Sequence, residues 1–352
     1  MKKLPLAVIG AGAIGHTHIQ RAMTSSQFQL VAIVDPSPAA AAMAASLGVQ
    51  HFNDHMPMLD AARPKAVVVA TPNHTHAPIA VDCLESGAAV LVEKPIADSL
   101  EDARRICDVS NSTGLPVLVG HQRRHNPIMR RAREIMSSGM LGRPVTATVM
   151  CTWFKPASYF DVAWRRRKGA GPVLINMIHD IDLMRHLYGE IDSVQAMSSN
   201  AVRGFDVEDS AAVVLRFRNG ALGTVTVSDT TVAPWNWDLS AGEAERFPRH
   251  DVSAHFYAGT EGALALPALE VWRYRDASQA WQDPLTLQRT PAAFECPYAE
   301  QLRHLAALME GREQPVCSAL DGMRTLEVSL AVTEASTLGC VLSLATHDGR
   351  AT

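Results

Sequence analysis

The sequence predicts an α/β protein of two domains, in which a doubly wound parallel sheet precedes an α/β domain with a large antiparallel sheet. Short apolar runs alternate with helical patterns as far as Gly120, which is typical of βαβ units. Strand periodicity then dominates, and Asn219-Gly220 between two such runs indicates a type I′ hairpin, hence an antiparallel pair. With 352 residues, 47% of them hydrophobic, the chain is also too long for a single compact core.

Five apolar runs in the first part of the chain are predicted to form the parallel sheet. They are Leu4–Ile9, Leu30–Val34, Ala66–Ala70, Ala89–Glu93 and Pro116–Val119. Between the last two runs, Ser99 is expected to cap a helix that ends near Gly114. Glu101 and Asp102 would lie in its first turn, near the positive end of the helix dipole.

The second domain is predicted to begin after residue 121. A helix from Pro127 to about Ser138 opens it, because proline is tolerated in a first helical turn. The predicted strands are Val145–Phe154, Val194–Val202, Ala211–Arg218, Ala221–Ser228 and Val252–Ala258, with helices near Asn176–Leu187, Glu295–Met309 and Asp321–Thr337. We therefore divide the chain into residues 1–121 and 122–352, with the last helix as a candidate to pack back on the first domain.

Composition limits the possible partners. The formal net charge is -4 and charges of both signs are interspersed, which excludes a basic surface for nucleic acid or an anionic membrane and favours a small polar ligand. No segment approaches the roughly 20 apolar residues of a membrane span. The cysteines lie far apart and form no CxxC pair, which indicates reduced thiols in the cytoplasm.

A glycine-rich segment follows the first predicted strand. Gly10, Gly12 and Gly15 form a GxGxxG pattern that opens a helix beginning near Ile14. The three glycines permit a tight turn, let backbone N–H groups approach a pyrophosphate and allow close packing of helix on strand. About twenty residues further on, Asp35 ends the second strand, where it can accept hydrogen bonds from an adenosine ribose. This combination predicts a Rossmann domain that binds a dinucleotide.

The residue type at the ribose position favours NAD over NADP. Asp35 would repel a 2′-phosphate, and the following Pro36-Ser37 supplies no arginine to neutralise one. We therefore expect NAD as the cofactor, with NADP as the less favoured alternative.

Two further segments end predicted strands at the sheet edge where open α/β folds bind ligands. They are Thr71-Pro72-Asn73 and Glu93-Lys94-Pro95. His74 and His76 resemble a metal-binding pair, but no third ligand stands at a usable spacing, so we predict no metal and assign His76 to cofactor contact or helix-start packing. The cofactor-binding candidates in this domain are Gly10, Gly12, Ala13, Ile14, Asp35, Thr71, Pro72, Asn73, His76, Glu93 and Lys94.

Hydride transfer from an alcohol requires a group that takes the hydroxyl proton, and lysine or histidine suits this near neutral pH. Lys94 is the first candidate because it follows an apolar strand at the sheet edge; the alternative is a surface lysine paired with Glu93. Asn176 and His179 lie three residues apart on a predicted helix, so both can face one ligand. A histidine there can also be a core residue, but together with Lys94 it is interpreted as a proton carrier.

These motifs together resemble the Gfo/Idh/MocA family of oxidoreductases. The resemblance is carried by GxGxxG with His18 three residues on, TPNHTH at 71–76, EKP at 93–95 and a glycine-rich lead into IHDID at 178–182, and it spans almost the whole chain. It implies a Rossmann domain followed by an α/β domain with a large, mostly antiparallel open sheet, whose exposed face forms a homodimer or homotetramer. It also implies that Lys94 and His179 transfer protons and orient the substrate, and that Trp164-Arg165 lies near the nicotinamide.

One position departs from the family pattern. Inositol dehydrogenase-like members have an aspartate four residues before the histidine, where this chain has Ile175, with Asn176 at three. Asparagine cannot take a proton, so we assign Asn176 to hydrogen bonding with a substrate hydroxyl and leave the acid–base chemistry to Lys94 and His179.

The sequence therefore predicts reversible NAD-dependent oxidation of a secondary alcohol of a sugar, polyol or related cyclic diol. Candidate substrate residues are Lys94, Arg124, His125, Tyr159, Asn176, His179 and Trp235. Aromatics around Trp153 and Trp237 keep open a trans-dihydrodiol or aromatic-diol dehydrogenase on the same scaffold. A biliverdin-reductase-like reduction and a non-catalytic NAD-sensing or regulatory protein are further alternatives, disfavoured because both proton-transfer side chains are retained.

Overall fold

The computed structural model describes residues 3–276 and 278–345, and these form two compact units. The first unit contains the residues up to Asn126 together with Glu295–Leu326. The second contains Pro127–Phe294 and the described residues from Glu327 onward. The division at residues 121 and 122 stays a prediction; the structure groups Glu295–Leu326 with the first unit.

Six parallel strands form the sheet of the first unit. They are β1 (Leu4–Ile9), β2 (Phe28–Val34), β3 (Gln50–Phe52), β4 (Ala66–Val69), β5 (Ala89–Val92) and β6 (Val117–Val119). Their spatial order is β3-β2-β1-β4-β5-β6, so the direction of winding reverses between β1 and β4. The five predicted strands are confirmed to within two residues, whereas β3 was not predicted because three residues are too few to show a period.

Helices cover this sheet and explain its uniformly apolar strands. The first five are α1 (Ala13–Thr24), α2 (Pro38–Leu47), α3 (His55–Ala62), α4 (His76–Glu85) and α5 (Leu100–Thr113). Strands β4 and β5 are buried at every residue, as expected for strands covered on both faces. The predicted cap of α5 is confirmed: Ser99 Oγ accepts the Asp102 N–H at 3.1 Å, and the helix ends at Gly114 with φ +68°.

Nine strands form the sheet of the second unit. They are β7 (Pro144–Thr152), β8 (Ile191–Ser199), β9 (Ser210–Phe217), β10 (Leu222–Ser228), β11 (His255–Gly259), β12 (Ala263–Leu266), β13 (Glu270–Arg273), β14 (Thr286–Arg289) and β15 (Leu342–Ser343). Their order is β14-β13-β12-β11-β7-β10-β9-β8-β15. Among the strands that the structure describes in this sheet, only β10 and β7 pair in parallel, so the predicted mostly antiparallel sheet is confirmed. Strands β12 to β15 were not predicted.

The hairpin between β9 and β10 is confirmed, but the predicted type I′ turn is wrong. A type I′ turn needs positive φ at both central residues, whereas here only Gly220 has it, at +90°. The Gly220 N–H donates to the Phe217 carbonyl at 2.9 Å, which closes a three-residue loop. The Asn219 side chain accepts the Ala221 N–H and donates to the Tyr188 carbonyl, so side-chain hydrogen bonds hold it in the ordinary φ range.

The other α-helices of the described residues are α6 (Pro127–Ser137), α7 (Ile178–Tyr188), α8 (Trp237–Ser240), α9 (Pro297–Met309) and α10 (Ala319–Leu338). A π-helical turn at Val173–Met177 leads directly into α7, so Asn176 lies in that turn and His179 in the first turn of α7. One face of the nine-stranded sheet is buried in a core that includes residues of α6, α7 and α10, and strand residues alternate between buried and exposed. None of the helices in the described residues is long and apolar enough to cross a membrane.

Candidate functional site

A cavity of about 710 Å³ lies at the carboxyl edge of the parallel sheet in the first unit. Its volume falls in the range of ordinary ligand pockets. It lies beside the ends of β1, β2, β4 and β5, which includes the point where the winding reverses. Every cofactor-binding residue predicted in the first domain lines it: Gly10, Gly12, Ala13, Ile14, Asp35, Thr71, Pro72, Asn73, His76, Glu93 and Lys94.

The three glycines of the loop have different structural roles. Gly10 has φ +91°, and a Cβ there would lie 2.4 Å from the Ala70 carbonyl oxygen. A Cβ on Gly15 would lie 1.9 Å from the Gly10 carbonyl oxygen. Gly12 has ordinary φ and nothing within 4 Å of a built Cβ, so a side chain there would project into open space beside the cavity. Gly10 and Gly15 thus permit the turn, whereas Gly12 keeps the cradle open.

The same loop leaves the amino terminus of α1 available for an anion. Gly12 is the N-cap residue and has no side chain to bond the amides of the first turn. Those amides and the helix dipole form a site for a negatively charged group. The open space at Gly12 therefore fits the pyrophosphate of a dinucleotide.

Asp35 is fixed beside this loop. Its Oδ2 accepts the Ala11 N–H at 2.8 Å and its Oδ1 accepts the Ser37 N–H at 2.9 Å. Burial raises the pKa of Asp35. Hydrogen bonds from Ser37 and Ala11 and the charge of the neighbouring His51 lower the pKa by more than burial raises it, so the net shift is downward. The carboxylate is therefore ionised at neutral pH, with lone pairs left for ribose hydroxyls.

The segment after β3 also lines the cavity and was missed from the sequence. It comprises Asn53, Asp54 and His55. Asp54 caps α3 by accepting the Met56 N–H at 2.9 Å, and His55 Nε2 lies 2.8 Å from Asp82 Oδ2. The available signal was Asp54 as an N-cap residue, but the strand before it is too short to be recognised.

Glu93 is buried and its side chain contacts His18. Its Oε1 lies 2.8 Å from His18 Nε2, and its Oε2 accepts the backbone N–H of Lys94 at 3.2 Å. Burial raises the pKa of Glu93, but the His18 hydrogen bond and the charges of His18 and Lys94 outweigh it, so the net shift is downward. Gly120 allows this packing, since a Cβ there would lie 2.8 Å from the carboxyl group. The backbone at Lys94 is thereby held by a buried carboxylate.

His76 links the two segments that follow β4 and β5. Its Nδ1 lies 2.8 Å from the Pro95 carbonyl oxygen and its Nε2 lies 2.8 Å from the Thr71 carbonyl oxygen. With 1% of its surface exposed, the ring lines the cavity but directs both nitrogens to the backbone. Both sequence interpretations of His76, cofactor contact and helix-start packing, stay predictions.

Two predicted substrate residues of the first unit do not line this cavity. Arg124 Nη1 donates to the Val316 carbonyl at 2.7 Å, and His125 Nε2 lies 2.9 Å from His304 Nδ1. Both side chains are buried in contacts with the segment around α9 and the start of α10. Their contact with substrate stays a prediction.

The second unit contains a polar cluster around Asn176. Asn176 Oδ1 accepts a hydrogen bond from Lys155 Nζ at 2.7 Å. The same ammonium lies 3.4 Å from Asp229 Oδ2 and 4.8 Å from the centre of the Tyr159 ring. Burial lowers the pKa of Lys155, against the opposing effect of Asp229. Lys155 was not recognised from the sequence, because the position of a lysine shortly after a strand does not indicate whether its side chain is buried.

The other predicted residues of the second unit lie on its helix and loops. His179 is 9% exposed at the start of α7. Arg165 stacks on Tyr159 at 4.1 Å, while Trp164 and Trp235 are exposed. Their roles toward cofactor and substrate remain proposals.

Comparisons with known proteins give the chain a family. The protein family described as "Oxidoreductase family, NAD-binding Rossmann fold" matches residues 4–121. The family described as "GFO/IDH/MocA C-terminal domain" matches residues 129–247. The NAD(+)-dependent scyllo-inositol 2-dehydrogenase of Bacillus subtilis is 27% identical over 96% of this chain and 95% of its own length. Inositol 2-dehydrogenase 2 of Saccharopolyspora erythraea is 30% identical over 78% of this chain and 83% of its own length.

Solved structures show the same fold. The WlbA dehydrogenase of Bordetella pertussis, solved with NADH and UDP-GlcNAcA, superposes with a TM-score of 0.78 at 24% identity, over 98% of this chain and 99% of that one. A levoglucosan dehydrogenase solved with NADH gives a TM-score of 0.79 at 21% identity, over 98% and 100%. The predicted resemblance is confirmed: the chain belongs to the Gfo/Idh/MocA family of oxidoreductases, with an NAD-binding Rossmann fold.

Proposed function

We propose that the chain is an NAD-dependent dehydrogenase of a secondary alcohol on a sugar, polyol or related cyclic substrate, with Lys94 and His179 as proton-transfer residues. The observation that carries this proposal is the cavity that combines the glycine cradle, Asp35 and Lys94. The named relatives support it, because several are inositol dehydrogenases.

The chain's own residues divide this task. The loop from Gly10 to Gly15 and the start of α1 would hold the pyrophosphate of NAD. Asp35 would accept hydrogen bonds from the ribose hydroxyls. Bound NAD would supply the acceptor for the hydride that leaves the alcohol carbon. A side chain of the protein must then accept the hydroxyl proton as the ketone forms. Lys94 suits this role because the residues on either side of it are held, Glu93 by His18 and the Pro95 carbonyl by His76.

Asp35 supports NAD as the preferred cofactor. Its lowered pKa keeps a negative charge at the ribose position, and Asp54 adds a second carboxylate to the same cavity. Both would repel the 2′-phosphate of NADP.

A second copy of this chain is the proposed partner. The outward face of the nine-stranded sheet carries a row of paired residues across β9, β10, β7 and β11: Val214, Thr224, Thr148 and Phe256. Val214 is 49% exposed and Phe256 42%, and Met197 on β8 is 79% exposed. An exposed row of apolar and hydroxyl side chains of this kind suits an isologous contact that forms a homodimer or homotetramer.

The cofactor cradle is tested by exchanging glycine for alanine at two positions. Gly12→Ala places a methyl group in the open cradle, so the affinity for NADH should fall at least about tenfold. The melting temperature should change little, because glycine and alanine differ modestly at an N-cap position. Gly10→Ala should instead lower the free energy of unfolding by about 1–3 kcal/mol. Position 10 has a positive φ, which strains an alanine, and the new Cβ would collide with the Ala70 carbonyl oxygen. Fluorescence titration and thermal unfolding measure both. Unchanged NADH binding by Gly12→Ala would contradict the assigned cradle.

Catalysis is tested with D-glucose, myo-inositol, D-gluconolactone and a benzene trans-dihydrodiol as substrates, following NADH formation. Lys94→Ala and His179→Ala should each lower kcat by about 10²–10⁴-fold, because the proton acceptor is lost. The affinity for NADH should fall much less than kcat, by less than about tenfold, because the glycine loop and Asp35 still hold the cofactor. If both residues serve one proton transfer, the double variant should lose little more than either single one.

Lys65→Ala provides the control, because Lys65 is exposed and does not line the cavity. Full turnover by Lys94→Ala would remove Lys94 from the mechanism. Turnover of the dihydrodiol alone would favour the aromatic-diol alternative. Tight NADH binding without turnover of any substrate would favour the NAD-sensing alternative.

Cofactor preference is tested at Asp35. Asp35→Ser removes the negative charge at the ribose position. NAD⁺ loses charged hydrogen bonds to its ribose, and NADP⁺ no longer meets a carboxylate that repels its 2′-phosphate. The ratio of kcat/KM for NAD⁺ to that for NADP⁺ should therefore fall at least about tenfold. Asp60→Ser, an exposed aspartate on α3, should leave the ratio unchanged. A wild-type protein that prefers NADP⁺ would contradict the assignment.

The oligomer is tested by light scattering after size exclusion. Phe256→Glu puts a charge into the apolar contact face of each copy and should convert the oligomer to smaller species. Val232→Glu, which alters an 89% exposed residue outside the sheet strands, should not. A monomeric wild-type protein would contradict the proposed partner.

A further inference from the structure

The orientation of the Asn176 side chain is determined by its neighbour. An ammonium group has only hydrogen-bond donors, so the atom of Asn176 that faces Lys155 Nζ at 2.7 Å must be the amide oxygen. The amide nitrogen is therefore the end that points elsewhere. Among the described residues it donates to no partner, and it is not one of the buried polar atoms.

Lys155 has little freedom to give up this contact. The residue is 6% exposed, and its ammonium lies 3.4 Å from Asp229 Oδ2 and over the Tyr159 ring. Arg203 Nη2 donates to the Lys155 carbonyl at 2.9 Å, and Arg203 Nε donates to Asp229 Oδ1 at 3.0 Å. The ammonium is thus directed at an amide oxygen, a carboxylate and an aromatic face, and the lysine backbone is held as well.

We propose that Lys155 is a positioning residue that makes Asn176 an obligate hydrogen-bond donor, so that the substrate oxygen recognised there acts as an acceptor. A carbonyl or carboxylate oxygen satisfies this requirement, and a hydroxyl satisfies it through its lone pairs but not through its proton. The assignment refines the expected contact of Asn176 with a substrate hydroxyl by fixing its polarity. It rests on the proposed function, in which Asn176 contacts the substrate.

The polarity is tested with Asn176→Asp and Asn176→Leu, using the best substrate among the four probes named above. A carboxylate in place of the amide has no donor at neutral pH, so both variants should raise KM about tenfold, the effect of one lost hydrogen bond, while the affinity for NADH stays unchanged. A KM for Asn176→Asp equal to or below that of the wild type would show that the substrate donates its proton there, which would overturn the proposal.

The role of Lys155 is tested by a double-variant cycle. Lys155→Met frees the amide to rotate and should raise KM with kcat changed less than about threefold, and the effect should vanish in the Asn176→Leu background because only Asn176 transmits it. Lys65→Met is the matched control. Additive effects of the two substitutions would overturn the positioning role, since a merely structural contribution would persist without Asn176.

A substrate-free measurement separates this proposal from the proposed function. If no probe is turned over, the dehydrogenase assignment fails, and the side-chain amide NMR signal of Asn176, identified by its loss in Asn176→Asp, decides the polarity alone. The signal should shift in Lys155→Met and not in Lys65→Met, which tests the contact that fixes the amide orientation. An unshifted signal in Lys155→Met would overturn the contact.

Discussion

The close approach of Gly10 to the end of β4 is the constraint on which the cofactor side of the first unit depends. Gly10 has φ +91°, and any side chain there would collide with the Ala70 carbonyl. Because the chain can turn at this distance, α1 begins directly at the sheet edge, where the winding of the sheet reverses. The unbonded backbone amides at the start of α1 then lie beside the cavity, in an arrangement that suits a pyrophosphate.

The position of Lys94 results from contacts made by its neighbours. Glu93 is a buried carboxylate, which would be costly unless it were paired, and His18 on α1 provides that pair. His76 at the start of α4 holds the Pro95 carbonyl. Helix α1 therefore contributes both to the anion site and, through His18, to the segment that carries Lys94. One helix of the first unit thus contacts both the glycine loop and the segment after β5.

Features with a long period or a local rule could be predicted from the sequence. The glycine loop, the main strands of both sheets and the Ser99 cap depend on neighbouring residues alone, and all were found. Short elements such as β3 show no period, so the cavity residues that follow it were missed. The turn at Asn219 differs from the predicted type because the Asn219 side chain donates a hydrogen bond to the backbone carbonyl of Tyr188, a residue far away in the sequence. Lys155 and Asn176 are 21 residues apart, and only the folded chain shows that they meet.

Hydrogen exchange at the start of α1 tests the central claim most directly. The account predicts that saturating NADH slows exchange of the backbone amides of Ala13, Ile14 and Gly15, because they bond the pyrophosphate, whereas adenosine, which lacks phosphate, leaves them unchanged. NADH binding with no protection of these amides would contradict the account.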